Sequence, residues 1–345
     1  GVNIMGKVGL KWIFLIIGTM IGAGYASGRE LWQFFGPESG LAIGLFAILF
    51  SICCYTILII SFENKTTHYL PILKILVGKR VAHLYDMMII IYLFTTTVIM
   101  LAGSGVTIEA FHYPYWLGII LMCIPLVLVF VWDIDGVLSL NSFILPLLIV
   151  GLVSVLISFL FKEDLTILTP MDEQKNWMAA LPFTALNILP LIAVLGAIGN
   201  QMKSKGEAWF ASIGSGLILG SISYLYNNSL VQIADDILVY EIPLFAILKY
   251  YPYAMFLFMS ALLWFAIFTT AVSGTLGLVT RIRDMIRVPL WLLVLGLVLA
   301  MIPLTKVGFA TLIEYLYPLY GLLNLYIMST LLLYPIINRY KKEAK

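Results

Sequence analysis

The chain has 345 residues, 62% of them hydrophobic and 11% charged, with a net charge of +2 and a mean hydropathy of +1.03. So little polar surface cannot coat a soluble globule of this length, and so small and dispersed a charge offers nucleic acid no footprint. The composition is that of an integral membrane protein whose surroundings are the lipid bilayer. Cys53, Cys54 and Cys123 fall inside apolar runs without metal-ligand spacing, which predicts buried, reduced thiols.

A hydrocarbon core of about 30 Å takes about 20 helical residues at roughly 1.5 Å each. By that measure the sequence holds ten apolar segments, at about 9–36, 39–62, 82–111, 115–132, 137–161, 177–200, 208–233, 253–280, 288–305 and 308–338. The first reads as a mature helix, since "GVNIMGKVGLKW" leads to no small-residue cleavage site. Only 63–81, 162–176 and 234–252 are longer polar stretches, so residues 1–345 are expected to form a single transmembrane domain. The stretch 234–252 mixes acids with apolar residues and breaks at Pro243, which predicts a surface loop whose short helices cap the bundle.

Orientation follows from the basic residues. Lys7, Lys11, Lys65, Lys74, Lys79, Arg80, Lys203, Lys205, Arg281, Arg283, Arg287, Arg339, Lys341, Lys342 and Lys345 all fall on one side of such a bundle, and only Lys162, Lys175, Lys249 and Lys306 on the other. Both termini are therefore expected in the cytoplasm.

Segment one carries "IGAGYASGRELW" at residues 21–32, with Gly22, Gly24 and Gly28 followed by Arg29 and Glu30. With entry near Trp12 and exit near Gly36 the midpoint is Gly24, and the two charges lie about 8 to 9 Å beyond it, still inside the hydrocarbon. Each must then face protein or water and have a partner. Gly18-x-x-x-Gly22 alone would suit close packing of helices. Glycines at three nearby phases beside charges suit a helix broken over residues 21–27, which survives at membrane depth only where protein or a cavity satisfies the freed backbone. Half-helix ends then offer N–H groups to an anion and carbonyls to a cation.

The stretch "GTMIGAGYASGRELWQFFG" resembles the first transmembrane segment of the YkvI-like family of bacterial membrane proteins, in the amino acid–polyamine–organocation superfamily. That resemblance implies an all-α fold of the LeuT type: two inverted repeats of five helices, about 9–161 and 177–338, with segments one and six broken. Segment six reads "LPFTALNILPLIAVLGAIGNQ", where Pro190 has no N–H for the Leu186 carbonyl beside Asn187. An ordinary proline kink is the competing reading.

In LeuT-like sodium transporters one ion lies between carbonyls of broken span one and a carbonyl plus two hydroxyls of span eight. The matching positions are Gly18 and Ile21, and Ala266, Thr269 and Thr270 of "AIFTTAVSG". The alternative is that both threonines bond back to their own helix. Segment five has none of the Lys that proton-coupled relatives place there, which favours Na⁺, although Glu30, Glu109 and Glu314 are carboxylates able to carry a proton. For an organic solute, the N–H groups of Ala23, Gly24 and Tyr25 suit a carboxylate, and the carbonyls of Met20 and Leu186 with the Asn187 side chain suit an ammonium group. Tyr92, Thr95, Thr96 and Ile99 of segment three and Phe265 of segment eight are the expected walls. An arginine near Arg29 pairs in such proteins with an acid of span ten, which makes Glu314 the expected outer-gate partner and Glu109 the alternative.

No phosphate loop, nucleophile elbow or metal cluster appears, so neither an enzyme nor an organic cofactor is expected. The function read here is a secondary permease of a small amino-acid-like solute in the bacterial cytoplasmic membrane, coupled to Na⁺ in preference to H⁺. A ligand-sensing receptor subunit of the same fold is the alternative.

Overall fold

The computed structural model describes residues 2–132, 134–166, 173–283 and 285–343, and among them there is no strand. The expected segments coincide with helices. Segment one starts as Val2–Met20, followed by the short helices Ala23–Ala26 and Arg29–Phe34. Segments two to five are Gly40–Glu63, Leu70–Glu109, Tyr115–Val129 and Ile134–Lys162. Segment six runs through Ala180–Leu186 and Ile188–Gly196, segment seven is Lys205–Val231 and segment eight Tyr253–Ile282. Segment nine is Leu290–Met301 with a 3₁₀ extension Ile302–Val307, and segment ten is Phe309–Leu323 with Leu325–Glu343.

Among the described residues seven helices are individually long and apolar enough to cross a membrane, and eight if the bent pair in segment ten counts as one. Gly9–Met20 and Tyr115–Val129 are shorter apolar helices, the first because segment one is interrupted. The chain is a multi-pass membrane protein.

Three details differ from the sequence reading. The stretch 63–81 is not all loop: the third helix begins at Leu70 and turns at Gly78, whose φ of 79° belongs to the left-handed region. Segment ten bends by 40° at Asn324, a buried polar residue whose Nδ2 donates to the Ala185 carbonyl at 3.2 Å. In the 234–252 stretch the helices Ala234–Ile237 and Pro243–Leu248 do form, but every residue of the second is buried, so it plugs the bundle instead of lying on it.

Adjacency has a regular form. Segment one packs on six, two on seven, three on eight and four on nine. Phe35 of segment one and Phe46 of segment two both meet the ring of Phe183 of segment six edge-on, with centroids 4.7 Å away, contacts of roughly 0.5–1.5 kcal/mol each beyond area burial. At one end Lys205 pairs with Glu63 at 3.1 Å, Arg281 pairs with Asp86, and Tyr69 donates to Asp86. Trp12 Nε1 donates to the buried Glu207 at 3.0 Å, tying the start of segment one to segment seven.

At the other end, Asp236 accepts from Lys249 at 3.0 Å and from the Tyr250 hydroxyl at 2.9 Å. The Lys249 bond first, then the Tyr250 bond, hold the Asp236 carboxyl below its ordinary range, and the Asp236 bond holds Lys249 above its own. A depressed carboxyl contributes above its unfolded value of about 3.9 and loses its share as pH falls through the folded value. A raised lysine contributes below about 10.4 and loses its share as pH rises through the folded value. Proteolysis of the 234–252 stretch should therefore be flat across the neutral range and rise in strong acid. Asp236→Asn should raise cleavage modestly at neutral pH, because the pair is exposed; cleavage that rises steeply between about pH 5 and 8 would point to another group.

Candidate solute site at the break in segment one

The first half-helix ends with the Ile21 N–H on the Ile17 carbonyl at 2.8 Å, and the ladder resumes with the Ala26 N–H on the Gly22 carbonyl at 2.9 Å. Between them no bond joins the Gly22 N–H to Gly18 or the Tyr25 N–H to Ile21. Gly22 is extended there, with φ −88° and ψ −173°. The backbone thus leaves the Gly18 and Ile21 carbonyls open, the two that the resemblance to LeuT-like transporters assigns to a cation.

A second turn follows at Gly28, whose φ of +81° is left-handed. Segment seven holds the fragment in place. Tyr25 shares a 2.6 Å hydrogen bond with Ser223, the Tyr226 hydroxyl donates to the Ala26 carbonyl at 2.8 Å, and Asn227 both accepts from the Gly36 N–H (2.9 Å) and donates to its carbonyl (3.0 Å). The Leu244 N–H of the buried plug bonds the Ser27 carbonyl at 2.9 Å, so the 234–252 stretch closes on the break directly.

Arg29 and Glu30 part company. The Arg29 guanidinium donates to the backbone carbonyls of Tyr240 (2.7 Å) and Glu241 (2.8 Å) in the plug. Among the described residues no ion pair joins Arg29 to Glu314, and both Glu314 and Glu109 are exposed. Glu30 points the other way, into the bundle. It is 7% exposed and its Oε2 lies over Gly24, within 2.9 Å of where a Cβ would stand. The Tyr317 hydroxyl stands 3.5 Å from the same Cβ position. Among the described residues Glu30 has neither an ion pair nor a side-chain hydrogen bond, although a lone charge at membrane depth costs about 2.5–3.5 kcal/mol on the insertion scale.

The remaining assigned residues divide. Tyr92 stands edge-on to Tyr320 at 5.3 Å, and Thr95 shares a 2.6 Å hydrogen bond with the Tyr320 hydroxyl. Thr96 bonds back to the Tyr92 carbonyl at 2.7 Å, while Met20, Ile99 and Leu186 are buried core. Phe265 is 40% exposed and packs edge-on against Trp264, facing out of the bundle instead of forming a pocket wall. The Thr269 (3.1 Å) and Thr270 (2.7 Å) hydroxyls both donate back to the Ala266 carbonyl of their own helix, the alternative that the sequence leaves open for them.

Segment six is interrupted for one residue only. Asn187 keeps φ −87° and ψ −5° in the right-handed region, its N–H turns to Thr184 at 3.2 Å, and its Nδ2 donates to the Phe183 carbonyl at 2.8 Å. The side chain thus takes up the Phe183 carbonyl that the Asn187 N–H has left for Thr184, and the result is a kink instead of an unwound stretch. Tyr317 and Tyr320 of segment ten and the inward turn of Glu30 were not assigned from sequence; a carboxylate and tyrosines at membrane depth were the available signal. Two recesses lie away from the break: one of about 370 Å³ beside Gly36, Gln174 and Asn227, the other of about 500 Å³ between segments two and seven at Ser51 and Trp209.

The chain is 50% identical over 335 residues to the uncharacterized protein YyaD of Bacillus subtilis (strain 168), covering 97% of this chain and 99% of that one. It is 25% identical over 331 residues to the uncharacterized membrane protein YkvI of the same organism, covering 92% and 94%. No family model matches it.

Proposed function

Because the chain belongs to the YkvI-like family of membrane proteins, we propose that it is a secondary transporter of a small amino-acid-like solute in the cytoplasmic membrane, working by alternating access around the break in segment one. The observation that carries this reading is backbone left open at membrane depth beside an internal carboxylate: neither is stable in a merely structural bundle, and both suit a ligand that comes and goes. Segments one, two, three and four each touch the segment five places further on, which is compatible with an inverted five-helix repeat of the LeuT type, although among the described residues segments five and ten do not pack in this way.

Na⁺ is the coupling ion this reading favours. The open carbonyls of Gly18 and Ile21 and the oxygen cluster at Ala266, Thr269 and Thr270 supply hard ligands. Thermal unfolding of the purified protein against amino acids, amines and small organic acids, each with Na⁺ or K⁺, tests both solute and ion, since a ligand of the folded state raises its midpoint. Thr269→Val with Thr270→Val should remove the Na⁺ effect while the protein still folds, because two oxygens are lost at nearly constant volume. Full Na⁺ dependence in that variant places the ion elsewhere.

Arg29 acts at the outer gate in this reading, exchanging the Tyr240 and Glu241 carbonyls for Glu314 as the outside closes. Arg29→Glu and Glu314→Arg should each lower uptake severalfold and the double swap should recover part of it. Unchanged uptake in both single variants removes the gate.

A further inference from the structure

A furrow of about 500 Å³ runs along the outer face of the bundle where segments two and seven pack, walled by Ala47, Ser51 and Ile52 on one side and Trp209, Ile213 and Leu217 on the other. Gly216 brings the two helices together at its floor, where a Cβ would fall on the Ser51 hydroxyl. The Ser51 and Ser212 hydroxyls are spent on carbonyls of their own helices, at 2.8 Å to Ala47 and 3.1 Å to Trp209, so they call for neither water nor a polar solute. Trp209 to Leu217 spans about 12 Å of helix, which makes the furrow about 7 Å across, too narrow for another helix of about 10–12 Å. At the end that the basic residues assign to the cytoplasm, Lys205 of segment seven bridges to Glu63 of segment two at 3.1 Å, and Lys203 and Lys65 are exposed close by in the chain. Glu207, the other acid there, is buried and accepts from Trp12. Trp209 lies about 6 Å along the helix from Lys205, is 58% exposed, and its indole N–H has no partner among the described residues.

We propose that this furrow binds an anionic phospholipid of the cytoplasmic leaflet, with one acyl chain lying between segments two and seven and the phosphate held by Lys203, Lys205 and the Trp209 N–H. The proposal does not depend on the transporter reading. Two physical arguments select the occupant. An apolar recess that faces hydrocarbon gains dispersion contact only from something slender enough to enter it, and an acyl chain is. At the mouth, lysines in a cleft between helices attract a negative headgroup, and tryptophan at headgroup level presents its N–H to polar atoms. The phosphate competes with Glu63 for Lys205, so a headgroup with net negative charge gains more than one that carries its own ammonium group. A second copy of this chain is disfavoured by the same charges. Packed here about a twofold axis, it would set its own lysines against these at the same depth.

The test is thermal unfolding of the purified, delipidated full-length protein in a neutral detergent, titrated with dioleoyl phosphatidylglycerol, with the phosphatidylcholine of the same chains, and with glycerol 3-phosphate. Phosphatidylglycerol should raise the midpoint at concentrations where the other two do not. Lys203→Gln and Lys205→Gln should each demand about fivefold more of it. Glu63→Gln breaks the same ion pair as Lys205→Gln but should demand less lipid, because it releases the lysine to the phosphate; a merely structural pair would move both variants alike. Ile213→Trp, which fills the furrow from a half-buried position, should abolish the rise. If that variant does not fold, Leu217→Trp at the exposed rim takes its place. An equal rise with phosphatidylcholine, a rise with glycerol 3-phosphate alone, or an unchanged lipid requirement in the lysine variants overturns the proposal. So does a concentration-dependent dimer that Ile213→Trp dissociates, which would give the furrow to a second copy.

Discussion

Gly24→Val is expected to reduce uptake to background while leaving a folded protein in the membrane. A Cβ at this position stands 2.9 Å from Glu30 Oε2 and 3.5 Å from the Tyr317 hydroxyl, so even alanine must push the carboxylate aside. Valine adds two methyl groups to the space over the break, where the solute is to approach the backbone, and its branched side chain resists any change of dihedral during transport. Gly24→Ala should be intermediate. Uptake measured alongside membrane yield checks this; a valine variant that transports normally moves the solute path away from segment one.

Gly28→Ala is expected to act on stability as well as on transport. Its φ of +81° costs an L-residue roughly 1–2 kcal/mol, and the new Cβ would stand 2.7 Å from the Tyr226 hydroxyl and 2.9 Å from two of its ring carbons. Tyr226 would have to leave the Ala26 carbonyl, at a further cost of about 1 kcal/mol for a buried hydrogen bond. The thermal midpoint should fall by several degrees. Adding Tyr226→Phe removes the hydroxyl but neither the ring nor the backbone strain, so the double variant should recover only part of the loss. Complete recovery would assign the whole effect to the hydroxyl contact.

Much of this architecture is legible in the sequence, and the reasons are physical. Bilayer thickness fixes how long an apolar run must be, so the limits of Gly40–Glu63 or Tyr253–Ile282 can be read within a few residues. Glycines at residues 22, 24 and 28 followed by two charges point to an interrupted helix, since close packing of helices explains small residues but not the charges beside them. The bend at Asn324 escapes that logic, since the polar residue that marks it is flanked by leucines and the run stays apolar. Asn187 shows the reverse: proline and asparagine together promise an unwound turn, but the side chain repairs the ladder by bonding the Phe183 carbonyl.

The fate of the two charges was hidden for a related reason. Arg29 is satisfied by backbone carbonyls at Tyr240 and Glu241, and a carbonyl has no signature in sequence, whereas an acid such as Glu314 does. Glu30 turns inward because the left-handed Gly28 resets the helical phase just before it, so counting 100° per residue from Gly24 gives the wrong face. Phe265 failed as a wall through the converse error, an aromatic residue at the right depth but on the outer face of its helix.

The central claim is that solute crosses the membrane by way of the break in segment one. Its most direct test is flux through the purified protein in sealed vesicles, with a labelled solute that stabilises the protein outside and an inward Na⁺ gradient imposed. The account predicts accumulation above equilibrium that collapses when the gradient is dissipated and is absent in Gly24→Val. Tight binding of that solute with no entry under any imposed gradient would contradict it and leave the receptor reading in its place.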